Sequence, residues 1–118
     1  MRYALLIYAD QSPWEDLSDD EKAEARAQEM PKWITAMDEL GKSDPRMTGY
    51  ELDIAHTAKV VRVRAGERIV TDGPFAETKE VIGGLFALEL PDLDEAIRVA
   101  SLIPTAHHGA LEIRPIVE

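Results

Sequence analysis

The chain has 118 residues, a formal net charge of −10 and no cysteine. A chain of this length builds one modest core, so we expect a single domain over residues 1–118. The excess of carboxylates repels phosphate backbones and disfavours binding to nucleic acids. A membrane-spanning helix is also disfavoured, since no apolar run approaches roughly 18 residues. Without cysteine the chain has no disulfides or thiolate ligands, which predicts a reducing, cytoplasmic setting.

The first predicted element is a strand. Residues 3–9 are almost all apolar, which is typical of a strand that is buried on both faces. Residues 10–14 contain a proline and are predicted to form a loop.

A long helix is predicted next. Ser18 and Glu21 have the spacing of a capping box, in which each side chain bonds the backbone N–H of the other residue. Apolar residues then recur every three or four positions as far as Leu40, and Gly41 is a natural stop. Pro31 lies inside this pattern, so we expect the helix to kink or split near it.

Patterns with a period of two follow the helix. A short strand is predicted over residues 49–54. A hairpin is predicted from strands at 59–64 and 68–71, with its turn at 65–67. A further strand is predicted over residues 84–90.

A second helix and a last strand complete the chain. The helix opens at Pro91, with acids in its first turn, and Pro104 stops it. Residues 110–116 alternate again and predict a strand. This order favours a ferredoxin-like α+β fold, with two helices on one face of an antiparallel sheet. The other face of such a sheet is uncovered, and if it is apolar a homodimer would bury it.

The most distinctive segment is residues 72–80, with the sequence DGPFAETKE. It combines a tight-turn signal, an aromatic residue and four charged side chains, and a Gly-Gly pair follows it. This segment, VRVR at 61–64, PDLDEA at 91–96 and EIRPI at 112–116 resemble the DGPF subgroup of the YCII-related family.

The resemblance implies a dimeric α+β barrel, in which the sheets of two ferredoxin-like chains pack face to face as a homodimer. Many members of the subgroup are small bacterial proteins without an assigned function, and some are encoded near extracytoplasmic sigma factors. More distant members carry a histidine on the first helix, paired with an acid, as a proposed active site. This chain has no histidine in residues 18–41, so the resemblance carries no such pair over to it.

Three residues are candidates for acid–base catalysis: Asp72, Glu77 and His107. Asp72 precedes Gly-Pro, where an aspartate often accepts backbone N–H bonds, but burial would make it a general base. Glu77 lies in the same charged segment. His107 is favoured among the histidines because it could approach this segment in three dimensions, and imidazole carries a proton near neutral pH. The structural alternatives are a turn residue, solvated charges and a surface histidine.

Five further residues are candidates for ligand binding: Arg62, Phe75, Lys79, Glu80 and Arg114. Lys79 and Glu80 lie near the pair of glycines and could surround a small polar ligand, although a β-bulge would also require glycines. Arg62 and Arg114 could bind an anion or pair with acids across strands. Phe75 is either a substrate platform or a plug that seats the loop on the core.

No metal site and no cofactor are predicted. The chain lacks metal-ligand spacing, a serine nucleophile elbow, a phosphate-binding glycine loop and a dinucleotide fingerprint. Acid–base chemistry needs only two or three positioned groups, so a cofactor-free enzyme stays open.

Three hypotheses follow for function. The first is a small-molecule binder or cofactor-free acid–base enzyme with a pocket at residues 72–80, and we adopt it as the working hypothesis. The second is a regulatory or interaction module, linked to sigma-factor transcription control, with an apolar patch outside its dimer interface. The third is a structural role, in which residues 72–80 brace the barrel. The expected partners are a second copy and an unidentified small molecule, without nucleic acid or membrane.

Overall fold

The structure is a computed structural model that describes residues 1–118. The chain forms six strands and three α-helices. The strands are β1 (Arg2–Ala9), β2 (Thr48–Glu51), β3 (Lys59–Arg64), β4 (Glu67–Asp72), β5 (Val81–Glu89) and β6 (Ala110–Pro115). The helices are α1 (Ser12–Glu15), α2 (Asp19–Ser43) and α3 (Leu93–Ser101).

Four strands form one antiparallel sheet in the order β2–β5–β1–β6, while β3 and β4 form a separate two-stranded sheet. This α+β arrangement is consistent with the ferredoxin-like fold expected from the sequence. The short helix α1 was not predicted, because its residues lie in the expected loop. Pro13 suits the first turn of a helix, where its missing N–H is not needed.

The capping box of α2 is confirmed. The Ser18 Oγ accepts from the Glu21 N–H at 3.2 Å, and the Glu21 carboxylate accepts from the Ser18 N–H at 2.9 Å. The predicted split near Pro31 is wrong, since one helix of 25 residues runs through it. Proline has no N–H, so the Ala27 carbonyl lacks its usual helical donor at residue 31. Both residues are exposed, and water can bind this carbonyl instead. The helix also continues past the predicted stop at Gly41 to Ser43.

The core lies between one face of the main sheet and the helices. Leu5 of β1 and Leu88 of β5 are fully buried, as are Leu40 of α2 and Val99 of α3. These residues form one cluster with Ile103, which follows α3. Apolar burial of this kind contributes about 25 cal/mol per Å², so this layer stabilises the fold.

The opposite face of the sheet contains no buried residue. Leu6 pairs with Leu85 on this face, and Tyr50 of the edge strand β2 lies beside Leu85. Leu6 and Leu85 are half-buried, and Tyr50 is 63% exposed. The predicted burial of β1 on both faces is therefore not observed in a single chain, because the helices cover only one side.

The two-stranded sheet forms an arm, residues 59–72, which projects from the body. Its turn lies at Ala65 and Gly66, with φ angles of 50° and 79°. Two successive positive φ angles suit the right-handed twist of a tight hairpin. Glycine adopts a positive φ angle without strain. The hairpin is confirmed, and β4 is one residue longer at each end than the predicted strand.

The remaining boundaries shift by a few residues. β2 ends at Glu51 rather than at residue 54, and β5 begins at Val81 rather than at residue 84. β6 ends at Pro115, one residue earlier than predicted. No helix in the chain combines the length and the apolar content required to cross a membrane.

Candidate functional site

An open cleft of about 710 Å³ lies at the end of the main sheet where β1 finishes and β5 begins. Its volume is within the range of small-molecule sites, roughly 300–1,000 Å³. Six residues line it, and all except the tyrosine have strongly polar or charged side chains: Tyr8, Asp10, Thr78, Lys79, Glu80 and His108. The cleft thus combines three separate parts of the chain, one of which is the end of the DGPFAETKE segment.

A β-bulge lies beside Tyr8, one of the residues that line the cleft. Ile7 pairs with Gly84, but the next residue of β1, Tyr8, pairs with Ile82, so Gly83 is the extra residue. Bulges bend a strand and re-aim neighbouring side chains, and they are frequent beside functional sites. The prediction that the glycine pair marks a bulge is confirmed. Gly84 is also needed for close packing, since a Cβ there would lie 2.9 Å from the Tyr50 carbonyl oxygen.

Tyr8 belongs to a polar chain on the uncovered face of the sheet. Its hydroxyl donates to the Glu112 Oε1 at 3.1 Å, and the Glu112 Oε2 accepts from the Arg114 Nη2 at 3.2 Å. Partial burial and the bond to Glu112 raise the pKa of Tyr8 above its usual value. Tyr8 therefore stays protonated and presents a neutral phenol to the cleft.

Asp10 is held as a carboxylate. Its Oδ1 accepts from the Ser12 N–H at 3.0 Å, and this bond lowers the pKa of Asp10, with a smaller contribution from the positive charge of Lys79. The two side chains enter the same cleft, one at the end of β1 and the other before β5. The cleft accordingly presents a fixed negative charge beside a positive one.

The segment that follows Asp10 is tied to its neighbours. The Gln11 Oε1 accepts from the Ala55 N–H at 2.8 Å. The Arg26 guanidinium lies 5.2 Å from the centre of the Trp14 ring and its Nη2 is 2.6 Å from the Glu51 Oε1. These contacts join α1 to α2 and to the loop after β2, so they restrict the position of Asp10.

The other side of the cleft comes from two turns. The Thr78 hydroxyl donates to the Glu80 carbonyl at 2.6 Å, which orders the segment that carries Lys79. His108 precedes β6, in a turn where the Gly109 N–H donates to the Thr105 carbonyl at 2.7 Å. Glycine is required at 109 because a Cβ there would overlap the carbonyl oxygen of Tyr8.

Asp72, the first residue of the DGPFAETKE segment, lies outside the cleft. Its carboxylate forms an exposed ion pair with Lys59, the residue opposite it in the hairpin, and this contact lowers the pKa of Asp72. The expected bond from a backbone N–H to Asp72 is replaced by the lysine. Because 83% of the side chain is exposed, the raising effect of burial on its pKa is smaller than the lowering effect of Lys59.

Phe75 lies against Arg62 instead of the core. The guanidinium carbon is 5.2 Å from the centre of the ring, a cation–π distance, and Phe75 is 77% exposed. The expectation of a buried plug is therefore wrong. Loop and arm are joined at this contact.

The predicted site residues are thus divided between two places. Lys79 and Glu80 line the cleft, whereas Glu77 and His107 are exposed and do not line it. Arg114 pairs with Glu112, in agreement with the predicted ion pairing, and reaches the cleft through the Tyr8 chain.

Sequence reasoning missed Tyr8 and Asp10, and it favoured His107 over its neighbour His108, which lines the cleft. Tyr8 was grouped with an apolar strand and Asp10 with a loop, and only the register of β1 with β5 brings them beside Lys79. One signal was present for Asp10, which stands two residues before Ser12, the spacing of an Asx turn. No cluster of three or more histidine or carboxylate side chains is placed to hold a metal ion.

The chain is similar to known proteins over its whole length. The model of the YCII-related domain matches residues 1–118. An uncharacterised protein of Rhizobium meliloti (strain 1021) is 35% identical over 121 residues, covering 98% of this chain and 92% of that protein. The fold and cleft define a small α+β protein with a polar cleft at the end of its main sheet. The chain belongs to the YCII-related family.

Proposed function

We propose that this chain, a member of the DGPF subgroup, binds a small polar molecule in the cleft and exchanges a proton with it without a cofactor. The observation that carries the proposal is the convergence of Asp10, Lys79 and His108, from three parts of the chain, around the phenol of Tyr8. A sheet needs no such convergence for stability, and separated acid, base and hydrogen-bond donor are the minimum for acid–base chemistry.

The cleft favours a ligand with both an anionic and a hydrogen-bond-donating group. Lys79 would bind the anionic group, and Asp10 would accept from the donor. His108 would carry the proton, since imidazole is the side chain that gains and loses one most readily near neutral pH. Partial burial and then the bond to Glu112 raise the pKa of Tyr8, so its phenol would stay protonated at neutral pH and its role would be to form one wall.

The test compares two lysines. A screen of small carboxylates and amino acids by thermal shift identifies a ligand, and calorimetry gives its affinity for Lys79→Ala and Lys59→Ala. We expect affinity to fall by about tenfold or more in Lys79→Ala, the loss of one charge-assisted contact of about 1.5 kcal/mol or more, and to be unchanged in Lys59→Ala. Equal affinity in both variants would contradict the proposed site.

Two neighbouring histidines test the proton transfer. With a turnover assay for the identified ligand, His108→Gln should abolish the reaction and His107→Gln should retain it, because only His108 lines the cleft. The opposite result would restore His107 as the proton carrier and move the site. Binding without any turnover would leave a binding protein rather than an enzyme.

The chain is also proposed to be a homodimer whose two sheets pack face to face as a dimeric α+β barrel. The uncovered sheet face, with Leu6 and Leu85 at its centre, supports this, because monomers rarely leave such a surface in water. Sedimentation of Leu85→Arg tests it: a desolvated arginine at the centre should convert the dimer to a monomer. Arg2→Glu, at the exposed rim of the same face, is the control and should remain dimeric.

One observation favours the interaction module as a second candidate. Met30, Ile34 and Met37 form an apolar stripe on α2 and are 45–60% exposed. The stripe lies on a helix, away from the uncovered sheet face, as a separate docking surface would require. If Ile34→Glu abolished binding to a purified sigma or anti-sigma factor while Lys79→Ala retained it, the interaction module would replace the small-molecule proposal.

The structural role of residues 72–80 predicts a different outcome. Asp72→Asn removes an exposed ion pair, which contributes little to stability because solvent screens it, so we expect a small change in melting temperature. A large fall in melting temperature with unchanged ligand affinity would favour the structural role.

A further inference from the structure

We infer that the arm, residues 59–72, docks on the body of a second copy of this chain. The inference rests on the proposed homodimer and assigns a second contact surface to it, separate from the sheet face. Three observations carry it: the exposed apolar surface of the arm, its charge, and the area that a stable dimer needs.

The main sheet offers the arm no strand partner, and the arm contacts the loop that follows it through Arg62 and Phe75. Ten of its twelve strand residues are exposed, and neither strand bonds to the main sheet. Val61, Val63 and Val70 share one face of the hairpin and are 54–61% exposed. An isolated two-stranded hairpin is marginally stable in water, so a surface that packs on these valines is needed to hold it.

The charge of the arm identifies an acidic partner. Residues 59–72 contain four basic and two acidic side chains, a net charge of +2. Because the whole chain has a net charge of −10, the other 104 residues have a net charge of −12. Within the arm, only Lys59 forms an ion pair with a carboxylate. The body of a second copy supplies the opposite charge, whereas a second arm would repel the first.

The sheet face alone is small for a stable dimer. Four strands about 4.8 Å apart, with six residues of about 3.3 Å each, give a face of roughly 400 Å². A standard interface buries about 800 Å² per partner. The valine face of the arm adds roughly 200 Å² by the same geometry, so the arm enlarges the contact towards the standard size.

The shape of the chain agrees with an arm that reaches outward. The radius of gyration is 16.3 Å. A compact chain of this length has a radius of about 13.5 Å. The excess fits a protomer that becomes compact only in its assembly.

The absence of native cysteine permits a direct test. Val63→Cys is labelled with a photoactivatable benzophenone, and the full chain is irradiated as an equal mixture of ¹⁵N-labelled and unlabelled copies. We expect mass spectrometry to find peptides of mixed isotope that join residue 63 of one copy to the body of the other, and these peptides locate the docking surface. The label should join only residues of the same copy if the arm is free.

A charge reversal gives an independent readout. Arg64→Glu with Arg68→Glu should raise the dimer dissociation constant about tenfold, and Lys32→Glu with Lys42→Glu, which changes the net charge equally, should leave it within about threefold. Equal effects of both double variants would overturn the arm contact.

The failure of this inference is distinguishable from the failure of the homodimer. A dimer by sedimentation whose Val63→Cys label joins only its own copy overturns the arm contact and retains the face-to-face dimer. A monomer at all concentrations overturns both. A dimer unaffected by the arginine reversals, together with binding of wild-type protein to heparin that these reversals abolish, assigns the arm to a polyanion instead.

Discussion

The Tyr8 hydroxyl donates to the Glu112 carboxylate at 3.1 Å, from the end of β1 to the neighbouring strand β6. This bond places a neutral phenol between an apolar sheet face and a charged cleft. It also makes Glu112 a shared acceptor, because its second oxygen binds Arg114 at 3.2 Å. The boundary between the proposed dimer face and the proposed ligand site therefore runs through one hydrogen-bonded chain.

The raised pKa of Tyr8 predicts a loss of stability in alkaline solution. The folded chain holds this proton more tightly than the unfolded chain, so its contribution is complete below about pH 10 and is lost as the pH rises through the folded pKa. Urea unfolding between pH 7 and pH 11 should show a shallower alkaline fall in Tyr8→Phe than in wild type. Tyr50→Phe removes a phenol that is 63% exposed and should follow the wild type. Identical slopes in Tyr8→Phe and wild type would count against the protonated phenol.

The lowered pKa of Asp10 predicts the opposite behaviour in acid. Its carboxylate stabilises the fold above the unfolded pKa of about 3.9, and this contribution is lost as the pH falls through the lower folded pKa. Asp10→Asn should therefore melt below the wild type at pH 7, and the two melting temperatures should converge near pH 2. Asp16→Asn, an exposed acid nearby, is the control. A difference in melting temperature that persists at pH 2 would mean that the substitution acts through the shape of the side chain rather than through its charge.

Gly109 and Gly41 predict effects of opposite sign. A Cβ at Gly109 would overlap the Tyr8 carbonyl and lie 3.1 Å from the Thr105 Cγ2, so Gly109→Ala should lower the unfolding free energy by about 1–3 kcal/mol. Gly41 lies inside α2 with nothing within 4 Å of the added Cβ. Gly41→Ala should therefore raise the unfolding free energy by about 0.5–1 kcal/mol. Urea denaturation measures both, and a neutral Gly109→Ala would show that Tyr8 can shift.

Much of the fold could be predicted because its signals are local. The Ser18 capping box and the hairpin with its turn at Gly66 depend on residues close in sequence, and both are confirmed. The Lys59–Asp72 pair was also within reach, since a two-residue turn fixes which residues face each other. The interpretation of Asp72 as an acceptor of backbone N–H bonds is wrong, because it considers residues 72–80 without the strand before them.

The site could not be predicted in the same way. Tyr8, Lys79 and His108 meet because β1 pairs with β5 and β6, and the bulge at Gly83 sets the register of β5 against the end of β1. A one-residue difference in register moves every side chain to the other face, so periodicity alone does not select these residues. The predicted split of α2 at Pro31 is wrong for another reason. The effect of this proline depends on whether water reaches the Ala27 carbonyl, which has no N–H partner at residue 31.

The contact between Arg62 and Phe75 links the arm to the loop that ends in the cleft. The loop from Asp72 to Glu80 begins in β4, rests on Arg62 through its aromatic ring, and ends with Lys79 in the cleft. A second copy that fixes the arm would also fix the cation that receives the ligand, and the free energies of the two events would be coupled. Coupling is reciprocal, so a ligand held more tightly by the dimer must tighten the dimer by the same factor. The affinity for ligand would then depend on protein concentration.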